Sequence, residues 1–385
     1  MRLFYVFSID YQLISHRKDV VAAAINEGYD VTVVAEDTGY RKTIENMGVR
    51  FIELPINRVG TNLLEELKTL YFLYKLYKKE KPDIVHHVSM KVVLWGGLAA
   101  KLAGVHGVVN AINGLGVFFE SGEVDSIVKK IFVGIVRFAH KRKNVLTIFQ
   151  NNEDCEFFVS RGVIKLEQTR RINGSGVNVD AFNETPVVKG YPLKMLFTSR
   201  MVEEKGVLDI IEAAKMLKPK YEDKICFLLC GLLETNPKAV NKETLDRECD
   251  GKYIQYLGQR NDVKELLKES AVVLLPSYYR EGIPKSLIEA TSIGRPIITT
   301  DWIGCRETVI DGVNGFLIPI KSPEVLAEKI EILIKDEALR ASMGKESRKI
   351  AVAKFSINEV IRRHLKIYEE VSGVDKDDAS VVGTY

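Results

Sequence analysis

Short apolar runs rich in β-branched residues, separated by stretches of helical length, set the strongest limit on how this chain folds. In the first half they span residues 3–7, 31–35, 51–54, 84–88, 108–112 and 146–149. In the second half they span residues 194–198, 225–230, 253–257, 272–275, 296–300 and 316–318. Strands that alternate with helices pair in parallel through βαβ units. The pattern predicts an α/β chain with two parallel sheets of six strands. With 385 residues there is room for two domains of ordinary size. The polar stretch 183–192, which carries Pro186, Gly190 and Pro192, marks their junction. The expected domains are 1–183 and 184–355, followed by an amphipathic helix over 356–371 and a disordered tail over 372–385.

Composition removes several classes of function. Apolar residues make up 46% and charged residues 28%, a soluble globular balance. A net charge of +3 gives no bulk attraction for nucleic acid. Five cysteines without paired spacing suit a reducing cytoplasm rather than a disulfide framework or a metal site. The N-terminus reads as a first strand, not a signal peptide, and no apolar stretch is long enough to span a bilayer. Neither half holds the GxGxxG of dinucleotide-binding proteins.

The chemistry concentrates around Glu281, Gly282, Pro284, Lys285, Ser286, Leu287 and Glu289. A strand, a loop and a helix in that order place Glu281 at the strand's carboxyl end, beside a helix N-terminus that favours anions. Glu289 follows eight residues later, close to two helical turns, so both carboxylates are expected on one side of the helix. Such a pair suits a polyhydroxylated ligand. Three further clusters accompany it: Ser199-Arg200 with Glu204-Lys205-Gly206, Gly174 to Asn178 with Asp180 and Phe182, and Asp311 to Leu317.

Together with Tyr256-Leu257-Gly258 and Leu274 to Ser277, these four elements resemble, in order and spacing, the retaining nucleotide-sugar glycosyltransferases of family four. The resemblance extends to about residue 370. It implies the GT-B architecture: two facing Rossmann-like domains with a cleft between them, and a C-terminal helix that crosses back to the first. It also implies a UDP-sugar donor. Arg200 and Lys205 would meet its diphosphate, Glu289 its ribose and Glu281 the transferred sugar. Gly282 would allow close backbone approach. Ser199, Leu257, Gly258, Arg260, Pro284, Lys285, Ser286 and Leu287 would complete the donor site. Asp375-Lys376-Asp377 matches the spacing of metal-dependent transferases but lies in the expected tail, so a metal-independent reaction without cofactor is expected.

The first half departs from the broad family. Where many relatives carry His-Gly, this chain has Asn113-Gly114, and Asn cannot carry a proton near neutral pH. The variant is similar to transferases that build bacterial surface glycans on polyprenyl diphosphate. It implies an undecaprenyl-diphosphate-linked saccharide as acceptor, with N-acetylgalactosamine or a related α-linked hexose transferred. His16, Arg17 and Lys18, together with His86 and Lys91 after the fourth strand, are the candidate acceptor residues beside Asn113 and Gly114. Two segments mix cations with apolar and aromatic residues, one from Ile127 to Lys143 and one from Leu63 to Lys81. Both suit an anionic bilayer surface, which places the protein at the inner face of the cell membrane. Two rivals remain: a UDP-sugar 2-epimerase and a non-catalytic sugar-nucleotide-binding protein.

Overall fold

The computed structural model describes residues 1–57, 62–115, 124, 126–234 and 239–373. Packing divides the chain into two compact units: Met1–Ser175 joined by the residues after Ile357, and Gly176–Ile357. The expected tail and Asp375-Lys376-Asp377 lie outside the described residues, apart from the first positions of the tail, which end a helix.

In the first unit the strands are β1 (Arg2–Ile9), β2 (Asp30–Glu36), β3 (Arg50–Glu53), β4 (Ile84–Val88), β5 (Gly107–Ile112), β6 (Val145–Phe149) and β7 (Thr169–Arg171). Helices α1 (Tyr11–His16), α2 (Lys18–Asn26), α3 (Arg41–Glu45), α4 (Leu63–Glu80), α5 (Met90–Ala103), α6 (Ile127–Ala139) and α7 (Asn152–Ser160) connect them. The strands form one parallel sheet in the order β3-β2-β1-β4-β5-β6-β7. Seven strands stand where six are expected. The extra one, Thr169-Arg170-Arg171, has no apolar residue to betray it. It is a three-residue edge strand, and edge strands characteristically carry charge.

The second unit holds β8 (Leu193–Thr198), β9 (Ile225–Cys230), β10 (Ile254–Gly258), β11 (Ser270–Leu275), β12 (Ile297–Thr300) and β13 (Gly315–Ile318). Its helices are α8 (Val207–Tyr221), α9 (Lys242–Glu248), α10 (Val263–Glu269), α11 (Lys285–Ile293), α12 (Pro323–Lys335) and α13 (Glu337–Ile350), and α14 (Ile357–Ser372) follows. The sheet is parallel in the order β10-β9-β8-β11-β12-β13. Phe197, Leu229, Leu274 and Leu287 lie in its core without exposure. Residues 176–183 pack here rather than on the first unit. The Phe182 carbonyl accepts from Ser292 Oγ at 2.6 Å and from Arg348 Nη1 at 2.9 Å.

Helix α14 belongs to the first unit from Asn358 onward. Tyr368 is fully buried there, its hydroxyl 2.5 Å from that of Tyr5 and 2.8 Å from His86 Nδ1. Arg170 of the edge strand donates to Glu370 from Nε at 3.0 Å. In each sheet the strand order reverses once, between β1 and β4 and between β8 and β11. Open parallel sheets bind ligands at the carboxyl ends beside such a reversal. Both groups of candidate residues fall at these two points.

Candidate functional site

In the second unit, β8 ends at Thr198 and the chain turns through Ser199 and Arg200 into a single 3₁₀ turn, Glu203–Lys205. Gly206 follows with φ +77° and starts α8. A Cβ at Gly206 would lie 2.2 Å from the carbonyl oxygen of Pro276, so this turn presses against the loop after β11. The same contact is locked by hydrogen bonds. The Glu204 carbonyl accepts from Tyr278 N at 2.8 Å, Tyr279 N at 3.1 Å and Ser277 Oγ at 3.1 Å. Two loops from neighbouring strands are thereby held as one body.

That body gathers charge. Lys205 is buried, and its ammonium is ion-paired with the Glu281 carboxylate. Arg200 Nη1 donates to Glu234 at 2.8 Å. Burial works against the Arg200 charge, and Glu234, joined by Tyr279 and Glu281, more than offsets it. The Tyr279 ring lies 5.5 Å from the Arg200 guanidinium and 5.2 Å from the Lys205 ammonium, within cation–π range of both. Arg200, Lys205 and Glu281 therefore converge, and Glu234 and Tyr279 join them unforeseen. Tyr279 stood two residues from Glu281 in the sequence, but nothing in its spacing distinguished it from Tyr278.

The expectation that both glutamates share a helix face is corrected. Pro284 has an extended backbone (φ −61°, ψ 124°) and caps α11, which begins only at Lys285. Glu281 therefore lies in the loop, and the separation of eight residues has no helical meaning. Glu289 is in the second turn, 3.6 Å from Lys285 Nζ. Burial pushes its carboxyl above the usual carboxylate range, and Lys285 pulls partly back. Gly282 is packed under the loop after β12, because a Cβ on Gly304 would sit 2.1 Å from the Gly282 carbonyl oxygen.

The remaining donor candidates divide. Leu257 and Gly258 end β10, where the Gly258 carbonyl accepts from Gly231 N at 2.9 Å. Ser199 N donates to Cys230 at 3.0 Å, and the Ser199 carbonyl lies where a Cβ on Gly231 would be. Ser286 is half-buried beside Lys285, whereas the Leu287 side chain is in the core and its N–H donates to Pro284 at 3.1 Å. Arg260 lies at the surface after β10, paired with Asp262 at 2.6 Å two residues away.

In the first unit the structure brings Arg17 and Asn113 together. Arg17 is only 2% exposed, yet among the described residues no carboxylate pairs with it. Its Nη2 donates to Asn113 Oδ1 at 3.3 Å and its Nη1 to the His16 carbonyl at 3.2 Å, while Nε is buried without a partner among the described residues. Burial pulls its pKa down. Burying a guanidinium without a counter-ion is costly. Gln150 Nε2 also donates to Asn113 Oδ1, at 2.9 Å. Gly114 has φ +112°, a conformation open to glycine. Residues 116–119, the rest of this variant motif, lie outside the described residues.

His16 and Lys18 flank Arg17 but face solvent. His86 is corrected, and Lys91 is already paired. His86 is fully buried against Tyr5, His364 and Tyr368, and burial first, then His364 and Arg17, depress its pKa. Strand-end position alone had pointed it outward, but β4 is central in the sheet and covered on both faces. Lys91 Nζ donates to Glu66 and to the Asn57 carbonyl, each at 2.6 Å, which ties α5 to α4. Among the described residues no three His, Cys, Asp or Glu side chains converge as metal ligands. None of the described helices is long and apolar enough to cross a membrane.

Comparison with known proteins agrees with the division into two sheets. Residues 180–350 match the model of the glycosyl transferases group 1, and residues 4–151 match that of the glycosyl transferase 4-like family. The chain is 28% identical to the N,N'-diacetylbacillosaminyl-diphospho-undecaprenol alpha-1,3-N-acetylgalactosaminyltransferase of Campylobacter jejuni, across 96% of this chain and 99% of that one. It is 30% identical to the UDP-Gal:alpha-D-GlcNAc-diphosphoundecaprenol alpha-1,3-galactosyltransferase of Escherichia coli, across 89% of each. Among solved structures, sucrose-phosphate synthase from Thermosynechococcus elongatus superposes with a TM-score of 0.79 at 18% identity, over 97% of this chain and all of that one. Anabaena HepE in complex with UDP gives 0.75 at 17% identity, over 96% of this chain and all of that one. The two Rossmann-like domains thus have the GT-B fold, and the chain belongs to the group 1, family-four-like glycosyltransferases.

Proposed function

We propose that this glycosyltransferase moves a hexose or N-acetylhexosamine, with retention, from a UDP-sugar to a polyprenyl-diphosphate-linked saccharide in bacterial glycan assembly. The names of the two curated relatives support that acceptor class. One observation carries the donor assignment. Arg200 and Lys205 are held beside Glu281, at the reversal point of a parallel sheet, by the Glu204 carbonyl. The leaving diphosphate gains negative charge as the sugar departs, and fixed cations at the start of α8 stabilise it. Lys205 is shared between this diphosphate and Glu281, and Glu281 turns toward the sugar hydroxyls. Glu289 takes the ribose hydroxyls.

In the chemical step the acceptor hydroxyl adds to the anomeric carbon from the face that the diphosphate leaves. The bond from that carbon to the phosphate oxygen breaks, and a phosphate oxygen takes the hydroxyl proton. No protein base is needed, which agrees with Asn113 at the position where many relatives carry His. A divalent metal has no part in this reading. Activity is expected to survive excess EDTA, and loss that Mg²⁺ or Mn²⁺ restores would overturn the assignment. Incubation with labelled UDP-sugars, with and without polyprenyl-diphosphate saccharides, tests the whole reading. A lipid-linked α-product is expected. A new UDP-sugar formed without acceptor would mean an epimerase instead, and no turnover at all would mean a binding protein.

Glu289→Gln is expected to separate stability from function. Because burial raises its folded pKa, the folded state disfavours the ionised form. That penalty is absent below the ordinary Glu range and develops as pH rises through the folded value. Removing the charge should therefore raise Tm slightly at pH 7 and leave it unchanged near pH 3. The KM for the UDP-sugar should rise about tenfold, the loss of roughly one charged hydrogen bond. A lower Tm at neutral pH would show that the charge contributes more than its burial costs.

The protein rests on the anionic inner face of the membrane through α6 and the start of α4. Ile127 is 75% exposed, with Val128 and Ile131 beside it, whereas Phe132, Val133 and Val136 are buried. Lys129 and Lys130 flank the exposed side chains. Arg137 is occupied differently: its Nη2 donates to the Arg161 carbonyl at 2.9 Å. Changing Lys129, Lys130 and Lys141 to Gln, with Arg137 retained, should weaken binding to anionic vesicles about a hundredfold, at about 1 kcal/mol for each cation. Unchanged binding in a vesicle co-sedimentation assay would mean that these lysines are merely solvated.

A further inference from the structure

We propose that the groove between α4 and α5 binds the isoprenoid chain of the acceptor. The proposal rests on the acceptor class above and names where its lipid lies. The groove has a volume of about 420 Å³ and is lined by Leu67, Leu70, Tyr71, Tyr74 and Leu102. Leu67 is 46%, Tyr71 61% and Leu102 51% exposed. Helix α4 already buries one stripe, Thr69, Leu73 and Tyr77, against its own domain. Leu70 and Tyr74 flank that stripe and pack on the same core, whereas Leu67 and Tyr71 carry the apolar surface outward beside Leu102. Folding does not call for apolar side chains as exposed as Leu67, Tyr71 and Leu102, and contiguous exposed ones mark a binding groove.

The groove also has a direction. Glu66, one residue before Leu67, takes Lys91 and the Trp95 indole N–H, which fixes the upper end of the groove to the first turns of α5. Helix α5 starts just past the carboxyl end of β4, on the sheet edge that also holds Arg17 and Asn113. Leu102 lies in the last turn of α5, at the opposite edge. The groove therefore leads away from the buried guanidinium, as a chain attached to a diphosphate must. From Leu67 to Tyr74 the groove covers about 10 Å. A polypeptide lying here would bring N–H and C=O groups to a wall that offers only two phenol hydroxyls. A hydrocarbon brings none.

The test uses the full chain in solution without vesicles or detergent. The acceptor saccharide diphosphate carries a methyl, geranyl or farnesyl group, and the wild type is compared with Leu67→Asn/Tyr71→Asn and with Leu102→Asn. For the wild type, KM should fall about tenfold or more from methyl to farnesyl while kcat stays constant. In the variants the series should flatten, with the methyl acceptor turned over as by the wild type and Tm unchanged. A flat series for the wild type, or an undiminished slope in the variants, would overturn the proposal. A slope that appears only with vesicles would mean that the face docks on the bilayer instead. If the wild type used none of the series yet transferred to a lipid-free saccharide, the acceptor class would fall, and the groove with it.

Discussion

Replacing Lys205 by Ala is expected to lower turnover by about a hundredfold or more with the fold intact. The ammonium is buried and fixed, so it stabilises developing diphosphate charge without rearranging, an effect of about 3 kcal/mol. The Lys205→Arg variant should not recover the rate. The side chain is almost wholly enclosed, and a planar fork does not fit the place of a compact ammonium. Arg200→Ala should act in the same direction. Glu234 already neutralises part of its charge, so a smaller loss, roughly tenfold to a hundredfold, is expected. Steady-state rates at saturating donor decide the matter. Near-normal kcat in both alanine variants would remove the leaving-group role from this loop.

Gly206→Ala should damage both stability and turnover. Its φ of +77° disfavours any side chain, and the added carbon would meet the Pro276 carbonyl oxygen at 2.2 Å. The left-handed conformation costs about 1–2 kcal/mol and the overpacking about 1–3 kcal/mol. A Tm lower by several degrees should appear in a calorimetric scan. The adjacent Lys205 must also shift, so turnover measured well below the new Tm should fall at least about tenfold. A stable variant with normal activity would show that the turn relaxes without moving the lysine.

Much of the fold could be read from local pattern. A strand such as Ile225–Cys230 is a continuous apolar run because both faces of a parallel sheet are covered. β7 escaped because an edge strand lacks that constraint. The donor loop was legible for a different reason: Arg, Lys, Gly and Glu recur there as chemistry rather than as packing. What stayed hidden is tertiary. Gln150 reaches Asn113 across 37 positions, and Glu234 reaches Arg200 across 34. No periodicity encodes either pairing. His86 failed because strand-end position says nothing of what α14 later covers, some 280 residues on. Arg17 shows the converse. Its charge marked it as an acceptor candidate, and only the structure reveals it as buried and, among the described residues, without a carboxylate partner.

The three hydrogen bonds that converge on the Glu204 carbonyl bear on how new specificities are made. Segments 199–206 and 276–289 are distant in sequence but behave as one exchangeable cassette. A chimera that imports only the second from a relative would place foreign Pro276, Ser277 and Tyr278 equivalents against a native turn shaped to this backbone. Recombination with crossovers outside both segments preserves the fit, whereas a crossover between them breaks it. Homologous shuffling of this chain should therefore yield active hybrids mainly when residues 199–289 come from a single parent.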